Sequence, residues 1–169
     1  MMDNLGLHPY YNHRPPYKIL FSLASSTTRP VQMDDEIDLL RKTLNPKLAI
    51  VEEYYFHKYS LREQAEITSQ ASIYVSGCGG GAVTSIFLPR GASALLYYPP
   101  KLGHTTNPFK FTKTPARLDW DLFNNIGYIR AHWFPRNSKK QDLNAFLELI
   151  QHELRNLQRE FSDQEASDP

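Results

Sequence analysis

Ser60–Pro100 reads SLREQAEITSQASIYVSGCGGGAVTSIFLPRGASALLYYPP, and its succession of elements decides the fold. Ser60 with Glu63 forms a capping box, in which hydroxyl and carboxylate each satisfy a free backbone N–H, so a helix starts here. Ala71–Val75 is short, apolar and rich in β-branched and aromatic residues, which suits a strand buried on both faces. Gly77, Gly79, Gly80 and Gly81 follow, then Ala82–Leu88, long enough for only two helical turns before Pro89, and a second apolar strand. Helix, buried strand, glycine turn, helix and strand in this order predict an α/β fold. The expected architecture is a Rossmann-like, mostly parallel sheet with helices on both faces.

The glycine turn is the first candidate site. Glycines permit positive φ and keep side chains away from a ligand. The N–H groups that open the following helix then face outward, and such groups favour an anion, phosphate above all. Tight packing alone also explains glycines in α/β turns, but a cluster at the C-terminal end of a strand stands where open α/β sheets bind ligands. Gly77-x-Gly79-x-x-Ala82 fits the dinucleotide fingerprint in form, yet the acidic residue that would hold a ribose about 20 positions on is missing. Ile67–Leu118 contains no Asp or Glu, while Arg90, Lys101, Lys110, Lys113 and Arg117 lie within it. That balance favours a phosphorylated ligand. Ala82, Val83 and Thr84 follow the glycines, so there is no Walker lysine and an ATP-hydrolysing P-loop is not expected.

The run from Ser60 to Ser93 resembles the C-terminal half of family 61 glycosyltransferases and related GT-B enzymes. Their pattern there is a Glu-Gln helix, a strand, a glycine-rich turn, a short helix ending in Phe-Leu-Pro-x-Gly, and a strand. Matching residues are Glu63, Gln64, Gly79, Gly81, Phe87, Leu88, Pro89 and Gly91. Upstream, Ile19–Ser22, Arg29 and Asp35–Glu36 resemble the family's first strand, Arg-containing loop and next helix. The departures are Cys78 where the family usually has His, Leu23 where an Arg often follows the Ser, and Leu96 where an acidic residue often ends the strand. The resemblance implies a single lobe of a GT-B fold that binds the diphosphate of a nucleotide-sugar donor. It also implies a glycan or glycoprotein acceptor, the Golgi or secretory pathway, and a missing N-terminal lobe.

Composition bounds the rest. The chain of 169 residues is the size of one domain with its own core. A net charge of +1 argues against general nucleic-acid binding. Cys78 is the single cysteine, which excludes an intrachain disulfide. No apolar run reaches the roughly 18 residues of a membrane span, and the Pro-rich N-terminus does not read as a signal peptide.

Residues 1–17 read as an irregular lead-in, 18–161 as the Rossmann-like domain and 162–169 as a disordered tail. Lys18–Leu23 is the expected first strand, and Ser22, Ser25, Ser26 and Arg29 stand in or beside the hydroxyl-rich loop at its C-terminal end. Asp34 and Asp35 open a helix with Ile37, Leu40 and Leu44 on one face, closed by Asn45-Pro46. Glu52 and Glu53 fall near the end of the next strand; adjacent strand residues point to opposite faces, so they do not read as an acid–base pair. Lys101–Arg117, with His104, is expected to be a long loop. Ile126–Trp133 looks strand-like, and Asp119, Asp121 and His132 would form a catalytic or metal set only if they converged. Asn137 or Ser138 is expected to cap a last helix whose apolar stripe runs from Leu143 to Phe161.

The expected function is therefore donor binding for glycosyl transfer. Gly77, Cys78, Gly79, Gly80 and Gly81 would surround the diphosphate, with Ser22, Ser25, Thr84 and Ser85 as hydroxyl donors. Arg29 would offset charge on the leaving group. No cofactor or metal is required. The alternatives are a non-catalytic remnant of the same fold that binds phosphorylated ligands weakly, and a small α/β enzyme with Cys78 as nucleophile.

Overall fold

The computed structural model describes residues 13–27, 31–98, 121–123, 125–136 and 142–167. Five strands form one sheet: β1 (Tyr17–Ser22), β2 (Ala49–Tyr54), β3 (Ile73–Gly77), β4 (Ser93–Tyr98) and β5 (Arg130–Pro135). Every pairing is parallel, and the order is β2-β1-β3-β4-β5. The helices are α1 (Asp34–Thr43), α2 (Leu61–Thr68), the single turn α3 (Gly80–Val83) and α4 (Leu143–Ser167). Short 3-10 turns cover Phe56–Lys58 and Thr84–Phe87.

Both faces of the sheet are covered, as the strands' unbroken apolar runs require. Tyr17, Ile19 and Phe21 of β1, Ile73 and Val75 of β3, and Leu95 and Tyr97 of β4 bury one face under Ile37 and Leu40 of α1 and Phe146, Ile150, Leu154 and Leu157 of α4. Alternate residues, Leu20, Tyr74, Ala94 and Leu96, meet Phe56, Ala82, Leu88, Phe123 and Ile129 on the other. The expected α/β class with helices on both faces is what the chain adopts.

The Ser60–Glu63 capping box forms: Glu63 N–H donates to Ser60 Oγ at 3.3 Å, and Ser60 N–H to Glu63 Oε2 at 2.7 Å. Strand β3 spans Ile73–Gly77 in place of Ala71–Val75 and β1 Tyr17–Ser22 in place of Lys18–Leu23, and three further boundaries differ from the sequence expectation. Strand β5 starts at Arg130 instead of Ile126, because pairing begins where Ser93 of β4 stands opposite. The cap of α4 is Asp142, whose carboxylate accepts from Ala145 N–H at 3.0 Å; Asn137 and Ser138 lie outside the described residues. The same helix runs on to Ser167 in place of a tail disordered from Ser162, since Ser162–Ser167 contains no Gly or Pro to stop it.

Candidate functional site

Strand β1 is flanked by β2 and β3, so the connections that leave the C-terminal ends of β1 and β3 run to opposite sides. An order of 2-1-3-4-5 places the topological switch between β1 and β3, where doubly wound sheets form their ligand crevice. Ser22 ends β1 and pairs with Ser76 of β3, directly before Gly77. The hydroxyl-rich loop and the glycine turn thus meet at that switch point, although they are more than fifty residues apart in the chain.

Close packing dictates the glycines. Gly79 has φ 109° and ψ −147°, a region open in practice to glycine alone. A Cβ on Gly80 would sit 3.1 Å from Ser25 Oγ. One on Gly81 would collide with Ser76 Oγ and approach Ser22 Oγ to 3.2 Å, and one on Gly77 would approach Val31 Cγ2 to 3.2 Å. Ser22 is buried near the Tyr74 hydroxyl, and its own hydroxyl makes no geometrically sound hydrogen bond among the described residues. Gly79 and Gly80 are exposed. No hydrogen bond within the described protein takes up the N–H of Gly80 or Gly81, as befits the first turn of a helix. Since α3 is one turn long before it tightens into 3-10 geometry, its dipole is small.

Not every expected donor faces the crevice. Ser85 is fully buried and donates to Ala82 O at 2.7 Å, so it closes the turn internally. Thr84 is buried near the Tyr74 hydroxyl, which itself donates to Gly81 O at 2.6 Å. Cys78 is half-buried, with its N–H on Tyr97 O at 2.7 Å. Arg29, Lys101–Arg117 with His104, and Asp119 lie outside the described residues. Arg90 precedes β4, at the opposite edge of the sheet, where its carbonyl accepts from His13; it contributes nothing to the glycine turn.

Glu52 and Glu53 diverge as the strand period requires. Glu52 meets Lys18 Nζ at 3.3 Å and accepts from Tyr54 at 2.8 Å, while Glu53 pairs with Arg41 of α1 at 2.7 Å. Asp121 and His132 do not converge either. Asp121 is exposed, and His132 Nε2 stands 3.2 Å from Glu153 Oε1. No group of three or more His, Cys, Asp or Glu gathers as metal ligands among the described residues.

Glu153 is the polar centre that sequence reasoning missed. It is fully buried, yet Arg130 Nε donates to it at 2.7 Å, Asn156 Nδ2 at 3.1 Å, and Ser93 Oγ also donates. Burial alone would raise its pKa; hydrogen bonds from His132, Ser93 and Arg130 and the His132 charge outweigh that and bring it down to about 2. A signal was available: Glu153 falls three residues after Ile150 and four before Leu157, inside the apolar stripe. Ser93 and Arg130 begin their strands, so this network sits at the N-terminal edge of the sheet and ties α4 to it. No helix among the described residues is long and apolar enough to cross a membrane. No protein-family model matches the chain, and no curated protein matches its sequence.

Proposed function

We propose that the chain is a nucleotide-sugar-binding domain of the glycosyltransferase type, equivalent to the donor lobe of a GT-B enzyme. One observation carries the reading: the glycine turn Gly79–Gly81 lies at the β1/β3 switch point, and the N–H groups of Gly80 and Gly81 are unengaged among the described residues. In this reading those amides, with Ser25 beside Gly80 and Ser22 beneath Gly81, hold the diphosphate. Arg29, four residues after Ser25 in the sequence, would offset its charge. Stabilising a departing nucleotide diphosphate is the contribution such a lobe makes to transfer of a sugar to a glycan or protein acceptor. A second lobe supplies the acceptor side and its base. The family 61-like run Ser60–Ser93 supports the assignment.

Calorimetric titration with pyrophosphate, UDP, GDP and their sugars tests it. Binding is expected for at least one nucleotide, and a Gly80→Val substitution, which drives a side chain against Ser25, is expected to abolish it while the protein stays folded. Absence of binding by every one of these ligands refutes the reading and favours a remnant of the fold without donor affinity.

A further inference from the structure

The large apolar side chains exposed among the described residues are Tyr55, Tyr59, Leu61 and Val83. All of them stand at the C-terminal edge of the sheet. Tyr55 and Tyr59 follow β2, Leu61 opens α2, and Val83 belongs to α3 directly after the glycines. Apolar exposure gathered along one edge of a sheet is a feature of binding surfaces. With aromatic side chains of about 150–250 Å² each and little more than a third of Tyr55 and Tyr59 exposed, the two rings offer on the order of 150 Å², well below the about 800 Å² per partner of a stable protein interface. A small planar group fits them better than a folded partner.

The segment is held rigidly to the glycine turn. Tyr59 makes an edge contact with Tyr54 at 6.0 Å, Tyr54 stacks on Phe56 at 5.8 Å and 23°, and Phe56 stacks on Tyr74 at 6.4 Å and 14°. Tyr74 then donates to Gly81 O. Gln64 Nε2 donates to Phe56 O and Tyr59 O, both at 2.9 Å, which pins the 3-10 turn to α2. Leu23 N–H donates to Tyr54 O and His57 N–H to Ala24 O, so the turn is also joined to the loop that carries Ser25. The exits of β2 and β3 are separated by two strand spacings, about 10 Å, within the length of a nucleoside diphosphate. Lys58 Nζ lies over the Tyr55 ring, 4.9 Å from its centroid, so a base that stacks on Tyr55 takes the opposite face or displaces the ammonium.

Resting on the phosphate reading above, we propose that Tyr55 and Tyr59 form the stacking platform for the base of the same ligand, a nucleotide whose phosphates lie at Gly79–Gly81. Titration calorimetry of the full chain with inorganic pyrophosphate, UDP and GDP decides it. The unaltered protein is expected to bind one of the nucleotides about tenfold or more tightly than pyrophosphate. The paired substitution Tyr55→Ala with Tyr59→Ala is expected to weaken that nucleotide roughly five- to 100-fold and to leave pyrophosphate unchanged; the pair Tyr55→Phe with Tyr59→Phe retains the stacking surface and the affinity. Thermal melts show whether the variants remain folded. Pyrophosphate bound as tightly as both nucleotides, or the alanine pair lowering pyrophosphate and nucleotide affinity alike, overturns the platform and leaves the phosphate site standing. Failure of the unaltered protein to bind any of the three removes both.

Discussion

At the N-terminal edge of the sheet, donors from β4, β5 and α4 turn inward onto the single carboxylate of Glu153. At the C-terminal edge, the backbone N–H groups of Gly80 and Gly81 meet no acceptor among the described residues. Two buried glutamates on the same face of the sheet repeat the contrast. Glu153 is held ionised by its partners, to about 2. Glu36, in the first turn of α1 at the other edge, has its pKa raised because burial outweighs its own backbone hydrogen bond, the Arg136 charge and the Tyr97 hydroxyl. Polar groups that satisfy one another hold a fold together, whereas donors left over at a switch point are available to a ligand.

The contrast is most exposed to refutation at Glu153. Glu153→Ala should cost about 3 kcal/mol in urea unfolding, near the low end for breaking a buried pair because Arg130 keeps its 2.7 Å contact with Glu160. The nucleotide affinity proposed above should be unaffected. The same carboxylate sets an acid limit. With a folded pKa near 2 against an ordinary value of 4.5, its stabilisation is complete above about pH 4.5 and is lost as pH falls toward 2. Urea midpoints across that window should decline in the native protein, and the decline should be shallower in Glu153→Gln.

At the other edge, Gly81→Ala should cost about 2 kcal/mol, because the new methyl collides with Ser76 Oγ in a packed interior. Combining it with Ser76→Ala should recover most of that loss, and a strictly additive double mutant would show that the clash is not the cause. Gly79→Ala meets open space, so only the strain of φ 109° opposes it, about 1 kcal/mol or somewhat more. Its midpoint should shift less than that of Gly81→Ala. The smallest change is expected for Glu36→Gln, within about 1 kcal/mol of the native protein at neutral pH. Since the folded pKa of Glu36 is raised, ionisation weighs against the fold as pH rises through that value, and removing the charge relieves it. A Glu36→Gln loss comparable to that of Glu153→Ala would erase the distinction between the two edges.

Much of the fold was legible because it is local. Ser60 and Glu63 announce a helix start through two hydrogen bonds within one turn, and both form. The apolar runs of β3 and β4 betray burial on both faces before any partner is known. The opposite directions of Glu52 and Glu53 follow from the pleat alone. Candidate site residues were half legible. Gly79, Gly80 and Gly81 stand out by composition, and Ser25 does meet Gly80, but Ser85, equally polar in the sequence, faces its own turn. Whether a hydroxyl points into a crevice or into a helix depends on the direction of a single Cβ within a short irregular turn.

By itself, then, the amino-acid order determined the class of fold, the alternation of its elements and the place of the glycine turn, because capping, strand period and positive φ act between neighbours. Only the tertiary structure decided that β3 lies beside β1, which brings Ser22 and Ser25 against Gly80 and Gly81. It alone carried Glu153 beneath Ser93 and Arg130, and joined the aromatic segment after β2 to the glycines through Tyr74. Strand order is a choice among long-range pairings, made by how both sheet faces bury their side chains at once, and no local rule ranks them.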